Sequence, residues 1–330
     1  MRFSSTHNAV IYSMPSESGF KICRQNDFGV SSSMNNSESC FVIRPFESGL
    51  KPMFIHAEMD QGIDPSEIVL ENMPLAPLSE SVNQDQYLKT ISAAIERSKE
   101  INGKIVLSRI QEQRINSIDI GESLKSLRGN FPDSFIYLLI SSERGIWMGA
   151  SPETLVEKDF ELYSTMALAG TKWGDDLFSQ KEFDEQMLVS RDIMDRLSDE
   201  VIEVGDVHEM AYGELRHLRT NVRWQSEDSI IKFAELLHPT SAVSGFPRKE
   251  AYQFVLANET HQRSLYSGYL GLINPNEKSQ LFVNLRCMKI YEGQIRVYVG
   301  GGINAKSEPP SEWEETERKS NSVMEALIHG

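Results

Sequence analysis

Four glutamates fall within nine residues in SEWEETERK (311–319), shortly after the glycine run VGGGIN. Read as a helix, in which each residue turns the face by about 100°, this stretch puts Glu312, Glu315 and Lys319 on one side and Glu314 and Glu317 on another. Two carboxylates one turn apart, with a cation beyond them, can hold a divalent ion and the anionic group of its ligand. Hard oxygen donors of this kind suit Mg2+. The competing reading is a solvated face with an i,i+4 pair, Glu315–Lys319, which stabilises by roughly a few tenths of a kcal/mol. Taken alone, the segment favours the solvated face. KEFDEQ (181–186) repeats the one-turn spacing with Glu182 and Glu185. Two such pairs on separate helices could converge on one ion, which spacing alone does not decide. The glycines at 300–302 lie in neither a GxGxxG nor a GK[ST] pattern, so a nucleotide reading is weak. A glycine run at a strand end instead marks where backbone must approach a ligand or another segment. His238, in LLHPTSAVSGFP, sits beside a proline and reads by itself as structural.

These groups need elements to position them. Tyr87, Ile91, Ala94, Ile95 and Ser98 recur at spacings of three and four, which predicts a helix ending at Asn102-Gly103. A strand-rich series follows: KIVLSRIQEQRI, FIYLLI, GIWMGA and TLVEKDFELYST. Residues 178–204 form the longest helical pattern, LFVNLRCMKIYEG and QIRVYVGGGI read as strands with a hairpin near Glu292-Gly293, and the segment from Ser311 is helical. Before residue 80, CFVIRPF and PMFIHAE read as short strands, SSSMNNSESC as a polar loop and MPLAPLSESVNQDQ as a connector. Strands in consecutive runs with long helices between them predict an α+β fold.

Composition narrows the class of function. The 330 residues are 40% hydrophobic and 25% charged, the balance of a soluble chain able to bury a core. A net charge of −15 argues against a general nucleic-acid or anionic-membrane binder. A small anionic substrate would need a local cluster of Arg or Lys, or a metal ion. Three scattered cysteines, Cys23, Cys40 and Cys287, give neither a disulfide framework nor a CxxC zinc site. They read as reduced thiols in a cytoplasmic protein. No signal peptide or membrane span is visible in the sequence.

Set in order, KIVLSR (104–109), GASPETLV (149–156), ALAGT (167–171), KEFDEQ (181–186), LLHPTSAVSGFP (236–247), RSLYSGYLGLI (263–273), LRCMKI (285–290), VGGGI (299–303) and SEWEETERK (311–319) resemble the motifs of the chorismate-utilising enzymes. The resemblance covers about residues 83 to 330, leaving 1–82 as a strand-rich portion packed on the same fold. It implies an α+β fold of large, mostly antiparallel sheets flanked by helices. The position matching Lys104 is Lys in members that add water and Gln in those that add ammonia, so a water nucleophile is implied and no glutaminase subunit is expected. Ala169 stands where aminodeoxychorismate synthases carry a lysine nucleophile, and ALAGTKWG is closer to isochorismate synthases than to salicylate synthases.

The implied reaction is Mg2+-dependent conversion of chorismate to isochorismate, an isomerisation in which water adds at C2 and the C4 hydroxyl leaves. Salicylate synthase, which goes on to eliminate pyruvate, is the alternative within the family. An inactive chorismate-binding relative is a further alternative, opposed by the retention of Lys104, Glu153, Glu185 and Glu315. The resemblance makes Lys104 the base, Glu153 the acid and His238 a histidine near the leaving hydroxyl. Glu185 and Glu315 match metal ligands, with Glu312 acting through water. Gly170, Thr171, Arg286, Gly300, Gly301, Gly302 and Lys319 match substrate-binding positions. A free lysine titrates near about 10.4 and has to come down towards roughly 7–8 to serve as a base. The acid has to stay protonated, which calls for desolvation or negative neighbours. Gln186 stands where the family carries His, and no role is carried over to it.

Overall fold

The computed structural model describes residues 1–25, 38–56, 58–174, 176–213 and 215–329. Two nine-stranded sheets form the framework. The first runs Gly245–Phe246, Lys104–Arg114, Gln294–Asn304, Cys287–Tyr291, Gly145–Ser151, Phe135–Ser141, Ala9–Ser13, Phe20–Arg24, Glu58–Ile63. The second runs Glu203–Val204, Leu215–Gln225, Leu162–Trp173, Thr154–Asp159, Ser279–Val283, Tyr269–Ile273, Cys40–Arg44, Met53–His56, with His208–Tyr212 also paired to Leu215–Gln225. Neighbouring strands in both sheets are antiparallel. This is the α+β architecture of large antiparallel sheets that the sequence predicts.

Side-chain alternation explains how the sheets stack. Phe135, Tyr137 and Leu139 point into a core shared with Phe41, Ile43, Leu270 and Phe282 of the second sheet. Ile136, Leu138 and Ile140 point the other way, onto helix α2 (Ile120–Asn130) through Leu124 and Leu127. FIYLLI is therefore apolar throughout because both its faces are covered. Helix α3 (Gln180–Arg196) and helix α4 (Ile230–Leu237) cover the outer face of the second sheet through Val189, Ile193, Phe233 and Leu237. Helix α1 (Gln84–Glu100) and helix α5 (Arg248–Asn258) pack on Ile105, Leu107 and Ile303 of the first.

Local signals account for most boundaries. Helix α1 buries Tyr87, Ile91, Ala94, Ile95 and Ser98, the predicted stripe, and opens on a capping box between Asn83 and Gln86. The chain leaves it through Asn102, in the left-handed region at φ 47°. Glu292-Gly293 closes the predicted hairpin, with Tyr291 paired to Gln294 and Gly293 at φ 70°. Helix α6 spans Pro309–Met324. Three expectations are corrected. The long helix ends at Arg196 rather than near 204, and Glu203–Val204 pairs as a short edge strand. TLVEKDFELYST is a hairpin turning at Phe160, at φ 54°. LFVNLRCMKIYEG belongs to two different sheets, with Asn284, Leu285 and Arg286 crossing between them. The first seven residues of SSSMNNSESC lie outside the described residues.

Candidate active site

The elements that carry the predicted residues meet at a small inner cavity of about 120 Å3. Glu153, Gly170, Thr171, Glu185, Arg286, the glycines at 300–302, Glu315 and Lys319 all line it. A larger cavity of about 610 Å3 lies beside it, lined by Lys104, Asp184, Asn304 and Lys306 among others, and Lys181 and Glu185 line both.

Backbone geometry shapes the inner cavity. The strand Leu162–Trp173 has a bulge between Ala169 and Thr171, where Gly170 takes φ 70°. A Cβ on Gly170 would also lie 2.7 Å from the carbonyl oxygen of Glu182 in α3, so both conformation and space require glycine there. The bulge leaves Thr171 opposite His217, with Thr171 Oγ1 3.2 Å from His217 Nδ1. The glycines at 300–302 stand inside the strand Gln294–Asn304, not at its end, and pair with Ser108, Leu107 and Val106. Successive positions present opposite faces of a strand. A Cβ on Gly300 would meet Leu107 O at 2.5 Å and the Tyr266 hydroxyl at 2.9 Å, and one on Gly302 would meet Glu185 Oε1 at 2.6 Å. One on Gly301 would lie 3.6 Å from Glu315 Oε1 and 3.7 Å from Glu312 Oε2. Three carboxylates thus crowd a strand stripped of side chains.

Each of them already has a lysine. Glu185 accepts from Lys104 Nζ at 3.0 Å, Glu312 from Lys181 Nζ at 3.2 Å, and Glu315 from Lys319, which also donates to Gly300 O at 3.1 Å. Burial raises the pKa of Glu312, and the neighbouring Glu315 adds to it. Burial also pushes Glu315 up, but Lys319, Lys181 and Arg286 outweigh it and hold that carboxyl below its usual value. Burial works against the Lys181 ammonium, yet Glu312, Glu315 and Glu185 together hold its pKa above the ordinary lysine value. Among the described residues no three His, Cys, Asp or Glu side chains close on one point as a metal-ligand set. The carboxylate oxygens are hard donors of the kind that suit Mg2+, and each is neutralised here by its own lysine ammonium.

Glu153 stands apart from these ion pairs. It is buried, it accepts from the Thr240 hydroxyl at 3.4 Å, and burial pushes its pKa to about 8, against smaller opposing effects of the Thr240 hydrogen bond and of Lys104. It is a carboxylic acid at neutral pH, as an acid catalyst needs to be. Arg286 forms the other pole. It occupies the crossing between the sheets at φ 50°, lies over the Tyr212 ring at 5.1 Å, and leaves a buried Nη1 without a protein partner. A left-handed non-glycine residue beside a cavity, with an unpaired guanidinium nitrogen, is a strained donor set aimed at an anion.

Of the predicted site residues, Lys104 lines only the larger cavity, Glu312 lines neither, and His238 falls elsewhere, as does Gln186. His238 caps the C-terminal end of α4 and packs edge-on against Tyr269 at 5.3 Å, between Arg44 and Glu235. Its ring belongs to the second sheet's buried layer and does not line the inner cavity. Burial pushes it down to about 4, so it is neutral. Gln186 donates to Ser190 Oγ at 2.9 Å and Thr220 Oγ1 at 2.7 Å, which ties it to the sheet behind α3. Glu182 is the reciprocal partner of Ser179 in the capping box of α3, so the Glu182–Glu185 spacing does not mark a ligand pair.

A family model described as chorismate binding enzyme matches residues 56–328. The chain belongs to the chorismate binding enzyme family. Isochorismate synthase EntC of Escherichia coli K12 is 31% identical over 251 residues, 71% of this chain and 64% of that protein. Isochorismate synthase MenF of Bacillus subtilis is 29% identical over 285 residues, 78% of this chain and 58% of that protein. The chain thus matches somewhat less than two thirds of the length of these relatives. In fold it is similar to MenF, the menaquinone-specific isochorismate synthase of Escherichia coli, with a TM-score of 0.83 at 18% identity, over 98% of this chain and 89% of that one. It is also similar to a putative 2,3-dihydroxybenzoate-specific isochorismate synthase, DhbC of Bacillus anthracis. There the TM-score is 0.81 at 22% identity, over 98% and 97% of the two chains.

In this chorismate binding enzyme two cavity residues escaped the sequence reading. His217 lines the inner cavity on the strand Leu215–Gln225. Burial, then Arg286 and Lys319, push it down to about 3, so it is a neutral imidazole. Its only signal in the sequence was a polar ring in an alternating strand, ELRHLRT. Lys181 stood inside the quoted KEFDEQ, where the neighbouring glutamates drew the reading away from it.

Proposed function

We propose that this enzyme is an isochorismate synthase, converting chorismate to isochorismate. The observation that carries the proposal is Glu153, a buried carboxyl held protonated at neutral pH, facing the same cavity as Arg286, whose buried Nη1 has no protein partner. Names of relatives that span most of the chain support the same reading.

In this proposal Arg286 and Lys319 bind substrate carboxylate, the first with a free donor and the second from its seat on Gly300 O. Gly170 and the glycines at 300–302 admit the ring against bare backbone, with Thr171 on the rim. Lys104 takes a proton from water as oxygen bonds to C2, and Glu153 gives its proton to the C4 hydroxyl, which departs as water. One water enters and one leaves, so the reaction is an isomerisation. Lys104 is buried and ion-paired with Glu185, so it is released for this role only when that carboxylate is engaged elsewhere. Glu185 and Glu315, with Glu312 through water, would hold Mg2+, which supplies positive charge towards the substrate carboxylate in a protein of net charge −15. The neutral His217 on Thr171 is placed to orient substrate hydroxyls. Lysine at 104 supports a water nucleophile and no glutaminase subunit, and the free, buried Cys23, Cys40 and Cys287 support a cytoplasmic setting. The proposal takes 83–330 as the catalytic region, with 1–82 packed on it and adding strands to both sheets.

The test is incubation with chorismate and Mg2+, with and without ammonium, and identification of products by NMR. Isochorismate alone supports the proposal. Salicylate with pyruvate replaces it with salicylate synthase, and anthranilate or no turnover refutes both.

A further inference from the structure

The glycines at 300–302 lie in a poorly supported part of their sheet. The ladder between Gln294–Asn304 and Cys287–Tyr291 ends at Tyr298, and beyond it, among the described residues, the strand pairs with Lys104–Arg114 alone. On the other side Gly300 O accepts from Lys319. Lys104–Arg114 has only the two-residue strand Gly245–Phe246 behind it, paired at Lys104 and Ile105, with one further bond from Val106 N to Ser244 O at 3.3 Å. Opposite the glycines, at Val106–Ser108, the cavity wall is therefore a two-stranded ribbon, which is marginally stable at best when isolated in water.

Two side chains stand there in place of a third strand. Glu259, at the C-terminal cap of α5, accepts from Ser108 N at 2.6 Å and from Ser108 Oγ at 3.0 Å. Arg263 donates from Nη2 to Val106 O at 2.6 Å and from Nη1 to Val243 O at 2.7 Å. An acceptor for one residue and a donor for the residue two before it are what an antiparallel neighbour would supply. The pair is locked by two parallel bonds, Arg263 Nη2 to Glu259 Oε1 at 2.6 Å and Nε to Oε2 at 2.9 Å, and the buried guanidinium lies over the Phe46 ring at 4.4 Å. Every Arg263 nitrogen is thus engaged within the protein, so this arginine holds backbone rather than a ligand. Val106 and Val243 line the inner cavity, as does Tyr266, whose N–H donates to Arg263 O at 2.9 Å. The motif RSLYSGYLGLI, which the sequence leaves without a role, begins at this residue.

We propose that Glu259 and Arg263 are positioning residues: their ion pair replaces a strand behind the cavity and fixes Val106, Ser108 and Val243, and through them the glycine wall. The role rests on the catalytic reading of the cavity given above, and its test separates the two.

Arg263→Lys keeps the charge but loses the fork that reaches Val106 O and Val243 O together, and Glu259→Gln keeps an acceptor for Ser108 but ends the paired bonds. Hydrogen exchange of the full chain without substrate is read by mass spectrometry. In both variants segments 104–110 and 299–304 exchange at least about tenfold faster than in wild type, while Phe135–Ser141 of the same sheet is unchanged. Equal acceleration of all three segments marks a merely structural pair and overturns the proposal, as does no acceleration. With chorismate the folded variants lose roughly 10–100-fold in kcat, the scale of a misplacement of about 1 Å; kcat and KM within twofold of wild type overturn the positioning role. No turnover by wild type removes the isochorismate reading and leaves the exchange result to decide the brace. Wild type alone supplies a measurement that needs no variant to fold: the Ser108 amide exchanges as slowly as the amides of its strand that face Gln294–Asn304, and fast exchange there overturns the proposal.

Discussion

Replacing Glu153 by Gln tests the site through stability and through catalysis at once. The carboxyl is 3% exposed and burial raises its pKa from the usual 4.5 to about 8. Between those values the folded chain keeps the proton while the unfolded chain has lost it. The native state therefore binds more protons, and stability falls as pH rises through this window. The cost is absent below about pH 4.5, grows by about 1.4 kcal/mol per pH unit above it, and reaches about 3 kcal/mol at pH 7. An amide of the same shape still accepts from the Thr240 hydroxyl and has nothing to ionise. Urea unfolding at a series of pH values is expected to show the variant gaining on wild type from pH 5 to 7 by about 3 kcal/mol at most. The same change removes the acid that protonates the departing hydroxyl, so kcat falls by roughly 10²–10⁴-fold. An offset between variant and wild type that stays constant from pH 5 to 7 would refute the buried, protonated carboxyl. A variant more stable at neutral pH but nearly inactive is the expected signature.

Further changes probe the rest of the site. Arg286→Lys replaces a fork with a point charge at a strained crossing, and is expected to raise KM for chorismate at least about tenfold while lowering kcat less, read from steady-state kinetics. Gly300→Ala sets a methyl 2.5 Å from the Leu107 carbonyl oxygen and is expected to cost about 1–3 kcal/mol in urea unfolding. Gly302→Ala meets only the end of the Glu185 side chain, so it displaces the carboxylate, and Mn2+ binding drops while stability holds. Lys104→Gln leaves Glu185 without its partner and removes the base; a loss of at least about 10²-fold in isochorismate formation is expected, and full activity in the variant would refute the assignment.

The sequence was most informative where one element carries its own signal. The stripe from Tyr87 to Ser98 becomes the buried face of α1 because its apolar period and its cap agree. Helical phase separated Glu312, Glu315 and Lys319 from Glu314 and Glu317, and Glu314 is exposed. Glu317 is the exception on its side of α6, because it ion-pairs with the buried Arg109, whose guanidinium stacks on Trp313 at 4.0 Å. That clamp needs a partner about two hundred residues away in sequence, and periodicity holds no such information. The same limit applies to Arg286. LFVNLRCMKI reads as one run of strand, and only the placement of its halves in separate sheets makes residue 286 a corner. His238 and His217 exchanged apparent importance for a related reason: a motif draws attention to one histidine, while sheet register brings the other to Thr171. Alternation cannot forecast the Gly170 bulge, which shifts the pairing of its strand by one residue.

The pairing of Lys104–Arg114 with Gln294–Asn304 also constrains the order in which the molecule can be made. Partners in that ladder are 180 residues apart at Arg114↔Gln294 and 200 apart at Lys104↔Asn304. A chain emerging from the ribosome at roughly 5–20 residues per second presents the earlier strand for ten seconds or more, on the order of 200 residues of synthesis, before its mate exists. During that interval Ile105 and Leu107, which end up fully buried, have no sheet to enter on that side. Isochorismate-forming chemistry, as proposed, therefore waits for the late strand, and until that strand arrives the earlier one presents an unpaired edge.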